Sequence, residues 1–182
     1  MTLLILGLAL WWAGHFFKRA LPDVREGLGD RGKLVATVII VAGVMLMVIG
    51  YRGLETPQVW NPPAFMVHIN NLLMIIALYL YAASGTRARL GVTMRHPQLT
   101  AVKTWAVAHL LVNGDLASIV LFGGLLAWAV VEVIVINRAQ PVWERREWGG
   151  PRAEVMAVVG TVVVLAVIAA IHTWLGYWPF PG

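Results

Sequence analysis

The chain has 182 residues, 59% of them hydrophobic and 13% charged, and a formal net charge of +5. That balance is far from a soluble globular protein, and apolar runs of about twenty residues recur, so the chain reads as an all-α polytopic membrane bundle in one domain over residues 1–182. The absence of cysteine excludes disulfides, iron–sulfur clusters, thiolate-ligated haem and a cysteine nucleophile.

Six transmembrane helices are expected, over residues 3–17, 34–51, 65–84, 98–112, 116–136 and 153–174. Only Met1 and Thr2 precede the first apolar run, with no basic stretch and no small-residue cleavage site, so the first helix reads as uncleaved. The first and fourth spans are short for a hydrocarbon layer about 30 Å thick. Pro97 opens the fourth, where a missing N–H costs nothing. Of the 14 Lys and Arg residues, all but Arg52 fall in or beside the connections after spans one, three and five. The positive-inside rule then places those loops in the cytosol and both termini in the periplasm. Omitting span four would put the last basic loop on the wrong side. The same topology accounts for the net charge, so no nucleic-acid partner is implied; the lipid bilayer is the expected surroundings. Trp60, Trp143, Trp148, Tyr177 and Trp178 fall at span ends and read as an aromatic belt. The loop 55–63, with Pro57, Pro62 and Pro63, reads as irregular. The glycine pairs Gly27/Gly29 and Gly149/Gly150 read as turns without the strand–helix context of a nucleotide loop.

Polar side chains inside an apolar span are costly and are candidates for function. The stretch 94–115 is the most polar of the apolar segments, and its Trp105, His109 and Asn113 recur every four residues on one helical face. His15 is three residues before Lys18. His109 is six residues past Lys103, about 9 Å inward at ~1.5 Å per residue. Glu132 is six residues before Arg138, which makes a cytosolic-half layer of His15, His109 and Glu132. His68 and His172 fall in a second layer nearer the periplasm, with Asn70, Asn71, Asn113 and Asp115. A single membrane histidine is commonly an interhelical hydrogen-bond partner, and that reading suits His172. It stands level with a functional one for His68. His96, in the loop before Pro97, is as suited to capping a helix as to chemistry.

His15 and His109 together suit a ligand role. They fall on different helices at matching depth, each with a tryptophan one turn earlier, Trp11 and Trp105. That pattern fits a flat aromatic cofactor held between helices, and haem is the natural candidate, because neutral imidazoles coordinate iron from opposite faces. Lys18, Arg19 and Lys103 fall where haem carboxylates exit, although topology already explains them. Gly14, Gly123 and Gly124 allow close approach of a macrocycle or, more simply, of another helix. Zinc is less suitable, since no HExxH pattern is present. Glu132 is either a partner that orients a ligand histidine or an acid that handles a proton.

The segment from Arg95 to Asp115, RHPQLTAVKTWAVAHLLVNGD, resembles the signature of the NnrU family of bacterial inner-membrane proteins, whose relatives include 15-cis-ζ-carotene isomerase. Gly14-His15 and the His68-x-Asn70-Asn71 pattern are similar as well, and the resemblance extends over nearly the whole chain. It implies haem b with His15 and His109 as iron ligands, location in the bacterial cytoplasmic membrane, and a role in denitrification. The carotene isomerases of this family act on a central cis double bond when their iron is reduced. An alternative cysteine ligand proposed for them has no counterpart here, where Ala106 stands near His109 and cysteine is absent.

Three functions follow as expectations. The first is a haem b protein with redox or gas-ligand chemistry, taking nitric oxide or a polyene, with isomerase activity implied by resemblance alone. The second is a membrane methyltransferase using S-adenosylmethionine, on the strength of Arg95-His96-Pro97 and the acid Glu132. The third is a non-catalytic assembly or sensing subunit for a nitrogen-oxide reductase.

Overall fold

Long runs of Leu, Val, Ile and Ala offer the backbone no polar partner but itself, and the α-helix satisfies every N–H and C=O within one segment. A computed structural model, which describes residues 1–179, shows that outcome. The helices are α1 (Thr2–Ala20), α2 (Pro22–Gly27), α3 (Arg31–Tyr51), α4 (Met66–Thr86), α5 (Arg89–Thr93), α6 (Pro97–Val112), α7 (Leu116–Ala139) and α8 (Pro151–Trp174). Among the described residues there is no strand, only an isolated antiparallel bridge between Gln58 and Asp115. Prolines mark several helix starts: Pro22, Pro97 and Pro151 each stand in the first turn, where the fixed φ fits and no hydrogen bond is lost.

The six expected apolar segments are the six long helices, within a few residues at each end. The short helices α2 and α5 were not foreseen; both lie in the basic connections. Four helices, α3, α4, α7 and α8, are long and apolar enough to cross a membrane, with mean hydropathies of 2.6, 1.6, 2.6 and 2.6. The 16 residues of α6 reach about 24 Å at ~1.5 Å per residue, short of a ~30 Å layer. The last turn of α1 carries Lys18 and Arg19. Large apolar side chains on α3 and α8, among them Val38, Met45, Val158 and Val162, are more than half exposed. Lipid, and not water, is the solvent in which such a surface is stable.

The chain divides into two compact units, residues Met1–Trp60 with Gly114–Trp128, and residues Asn61–Asn113 with Ala129–Gly182. In the first unit, α1 and α3 pack against each other through glycine. A Cβ on Gly7 would stand 2.6 Å from the Met47 nitrogen, and one on Gly50 would stand 2.4 Å from the Leu4 nitrogen. Small residues let the two backbones approach closely, as is common between membrane helices. Gly14 adds to this packing against Ile40, and Gly124 of α7 lies against Leu8 of α1. In the second unit α4 is the central element, packed on α5, α6 and α8. Its core is made of small side chains, Ala83, Ala88 and Ala157.

The start of α7 is held in the first unit by a polar cluster. Asp115 accepts the Ser118 N–H at 2.9 Å, the Ser118 hydroxyl, and the Thr56 hydroxyl at 3.3 Å. Tyr51 and Ser118 share a further hydrogen bond of 2.8 Å. Asp115 is thus an N-cap, the role for which aspartate is favoured. Its burial acts to raise the carboxyl pKa, but the hydrogen bonds from Ser118 and Thr56 outweigh that and hold it below the ordinary aspartate value. A depressed folded pKa contributes stability above the unfolded pKa and loses it as pH falls through the folded value. Asp115→Ala is therefore expected to lose about 1 kcal/mol near neutral pH, and thermal unfolding in detergent is expected to show the difference vanish under acid.

Candidate functional site

In the first unit the candidate residues gather around His15. The ring rests on Trp11, one turn earlier, with centroids 4.2 Å apart, and on Trp128 of α7 at 4.5 Å. Trp11 and Trp128 meet edge to face at 5.1 Å. The Nδ1 of His15 lies 2.8 Å from the carbonyl oxygen of Trp11. A carbonyl only accepts, so Nδ1 carries the proton and the lone pair is on Nε2. This is the tautomer and the restraint that a metal-binding imidazole needs.

The second unit repeats the device. His109 Nδ1 donates to the Trp105 carbonyl at 3.0 Å, and the two rings are 5.0 Å apart. His172 Nδ1 donates to the Ile168 carbonyl at 2.8 Å. All three histidines are half-buried, and all present Nε2 as the basic nitrogen. Asn113 donates to the His109 carbonyl at 2.8 Å and closes α6. His109 stands only three residues before the end of that helix. That places it about 4.5 Å from Val112 at ~1.5 Å per residue, while His172, assigned to the other layer, stands in the last turn of α8.

The remaining candidates are placed as follows. Glu132 is 7% exposed, one turn beyond Trp128 on α7. His68 is exposed in the first turn of α4, whereas Asn70 is buried. His96 is the residue before α6, but its side chain makes no capping bond; Nε2 donates to Asn137 Oδ1 at 2.7 Å. A cavity of about 580 Å³ opens beside it, lined by Arg95, His96, Gln140, Trp143 and Glu144. Gly123 has open space where a side chain would be. Among the described residues no three His, Asp or Glu side chains gather as a metal cage; a haem iron takes two protein ligands.

Sequence reasoning passed over two groups. Trp128 precedes Glu132 by four residues, the spacing of Trp11 to His15 and of Trp105 to His109, and that repetition was a usable signal. Glu154 had none. It accepts the Arg89 N–H at 2.7 Å, the Trp148 indole N–H at 2.8 Å and the Tyr79 hydroxyl at 3.2 Å, and the Arg89 guanidinium covers the Trp148 ring. Arg146, counted from sequence only as a topological charge, donates to the Ser84 carbonyl at 3.0 Å. These bonds tie the helix-free residues 140–150 to the second unit.

Helices α3, α4, α7 and α8, long and apolar enough to cross a bilayer and with large apolar side chains exposed along α3 and α8, define a multi-pass helical membrane protein. The chain belongs to the NnrU family: the model of the NnrU protein matches residues 3–179, nearly its whole length. No curated relative and no solved structure matches it.

Proposed function

We propose that this NnrU-family protein is a haem b-binding membrane protein of the bacterial cytoplasmic membrane, in which His15 and His109 would hold the iron, with a role in nitrogen-oxide metabolism. The observation that carries the reading is the restraint of both rings by a carbonyl one turn earlier, which leaves Nε2 as the donor to a metal. Haem, when bound, would supply a one-electron iron centre whose potential the two imidazoles and the apolar surroundings would tune. The chain's own contribution is to fix those two imidazoles, to wall them with Trp11, Trp128 and Trp105, and to place the buried acid Glu132 one turn from Trp128. Nitric oxide and a polyene are the small partners that such a centre serves. An absorption spectrum of purified protein, oxidised and then reduced, with and without nitric oxide, tests this. The absence of a Soret band after haem supplementation overturns it.

A second reading has one observation in its favour. The cavity beside Arg95 and His96 is of the size that takes a nucleoside-bearing cofactor such as S-adenosylmethionine, although the acid lining it is Glu144 and not Glu132. Calorimetric binding of S-adenosylmethionine, lost in His96→Ala, supports it; no heat of binding removes it.

Our topology has six crossings with both termini in the periplasm, α1 and α6 included. The basis is the confinement of all basic residues but Arg52 to or beside alternate connections. Because the natural chain lacks cysteine, single cysteines report cleanly. A cysteine at Gln58 is expected to react with an impermeant maleimide in intact spheroplasts, and one at Arg145 only after lysis. Equal labelling of both positions removes the topology.

A further inference from the structure

Trp11 and Trp128 press on His15, and the indole Nε1 of each is buried with no hydrogen-bond partner among the described residues. Trp128 as a whole is 4% exposed. An indole N–H is a donor only, and buried donors are nearly always paired, because a dry one forfeits its bond to water. The rings around them meet edge to face, Trp11 with Trp128 and Trp128 with His15, and a π face is at best a weak acceptor for an N–H. Neither N–H therefore has a full hydrogen bond from the polypeptide among the described residues. The one basic nitrogen of the His15 ring is Nε2, the atom assigned to the metal.

The surroundings indicate the chemistry of the missing acceptor. Lys18 and Arg19 follow His15 on the same helix, so an anionic acceptor suits this end of α1 better than a neutral one. The first unit thus combines a metal-binding imidazole, two dry N–H donors against that imidazole, and cations a turn away on its own helix.

We propose that Trp11 and Trp128 are recognition residues for carboxylate oxygens of the group bound at His15, which for haem are its propionates. This deepens the haem reading and rests on it. The ligand-free protein carries the cost of unpaired donors, as sites kept ready for a ligand commonly do.

The test uses the full chain in detergent as wild type, Trp11→Phe and Trp128→Phe, titrated by absorbance with two iron porphyrins. One is haemin. The other is iron etioporphyrin, which has alkyl groups in place of all carboxylates. Phenylalanine keeps an aromatic ring and removes the N–H. We expect each variant to bind haemin about tenfold more weakly, the worth of one charge-assisted hydrogen bond, and to bind iron etioporphyrin as wild type does. A packing defect would weaken both porphyrins alike, so equal losses, or no loss, overturn the proposal while the haem reading stands. Failure of wild-type protein to bind either porphyrin overturns both. Trp11 is the less buried ring, so Trp11→Phe carries the comparison alone should Trp128→Phe not fold.

Discussion

The His15→Ala/His109→Ala double variant is expected to lose the Soret band that haem-supplemented wild-type protein shows. Each imidazole is a direct iron ligand in our assignment, and removal of even an indirect partner of a metal ligand costs about 10–100-fold in affinity. Each single variant is therefore expected to weaken haem binding by about 100-fold or more, and the double variant to leave none at micromolar protein. His172→Ala is the control that matters most, because its ring is restrained in the same way as that of His109, by the carbonyl four residues earlier. We expect His172→Ala to keep the low-spin spectrum. An unchanged spectrum in the double variant removes the ligand assignment and leaves haem binding itself standing. Loss of the band in His172→Ala with retention in His109→Ala moves the second ligand to α8.

Gly114→Ala is expected to be the most damaging conservative change in the first unit. The Gly114 carbonyl accepts the N–H groups of both Val59 and Trp60, at 2.8 and 3.2 Å. A Cβ on Gly114 would stand 1.8 Å from the Trp60 carbonyl oxygen. That neighbour is backbone, so no rotamer change relieves the clash. The loop 52–65 and the start of α7 would have to separate, with loss of the two hydrogen bonds and of the Asp115 cap beside them. Overpacking by one methyl group in a tight site costs about 1–3 kcal/mol, and two lost hydrogen bonds add about 1 kcal/mol each. The expected loss is thus roughly 3–5 kcal/mol, read as a lowered midpoint for unfolding in detergent. A midpoint equal to wild type would show that the loop is not packed on Gly114.

Much of the site was legible residue by residue because a helix has one period. The four-residue spacing of Trp11 to His15 and of Trp105 to His109 placed each pair on a common face, and both ring pairs are in contact. The same spacing does not say what a carbonyl will do. That His15, His109 and His172 donate through Nδ1 follows from rotamers that place each ring over the preceding turn, a choice made by packing. The short fourth span was itself legible: 15 residues were expected, over 98–112, and α6 has 16. Asp115 was read as one more polar group in a layer; it caps α7 through the Ser118 N–H three residues on, and only the fold brings Thr56, far back in the sequence, to the same carboxylate.

Composition and periodicity alone determined that the chain is helical, that its helices are built for lipid, and where six of them begin and end. Those properties are local: an apolar run in a bilayer satisfies its backbone within itself whatever its neighbours are. Only the tertiary structure decided which side chains share a neighbourhood. It brought Trp128 onto His15, seated Gly7 and Gly50 against α3 and α1 backbone, and converged Arg89, Trp148 and Tyr79 on Glu154. Such contacts join residues far apart in the chain. They depend on how whole helices pack, and nothing in the spacing along one helix records the face its neighbour presents.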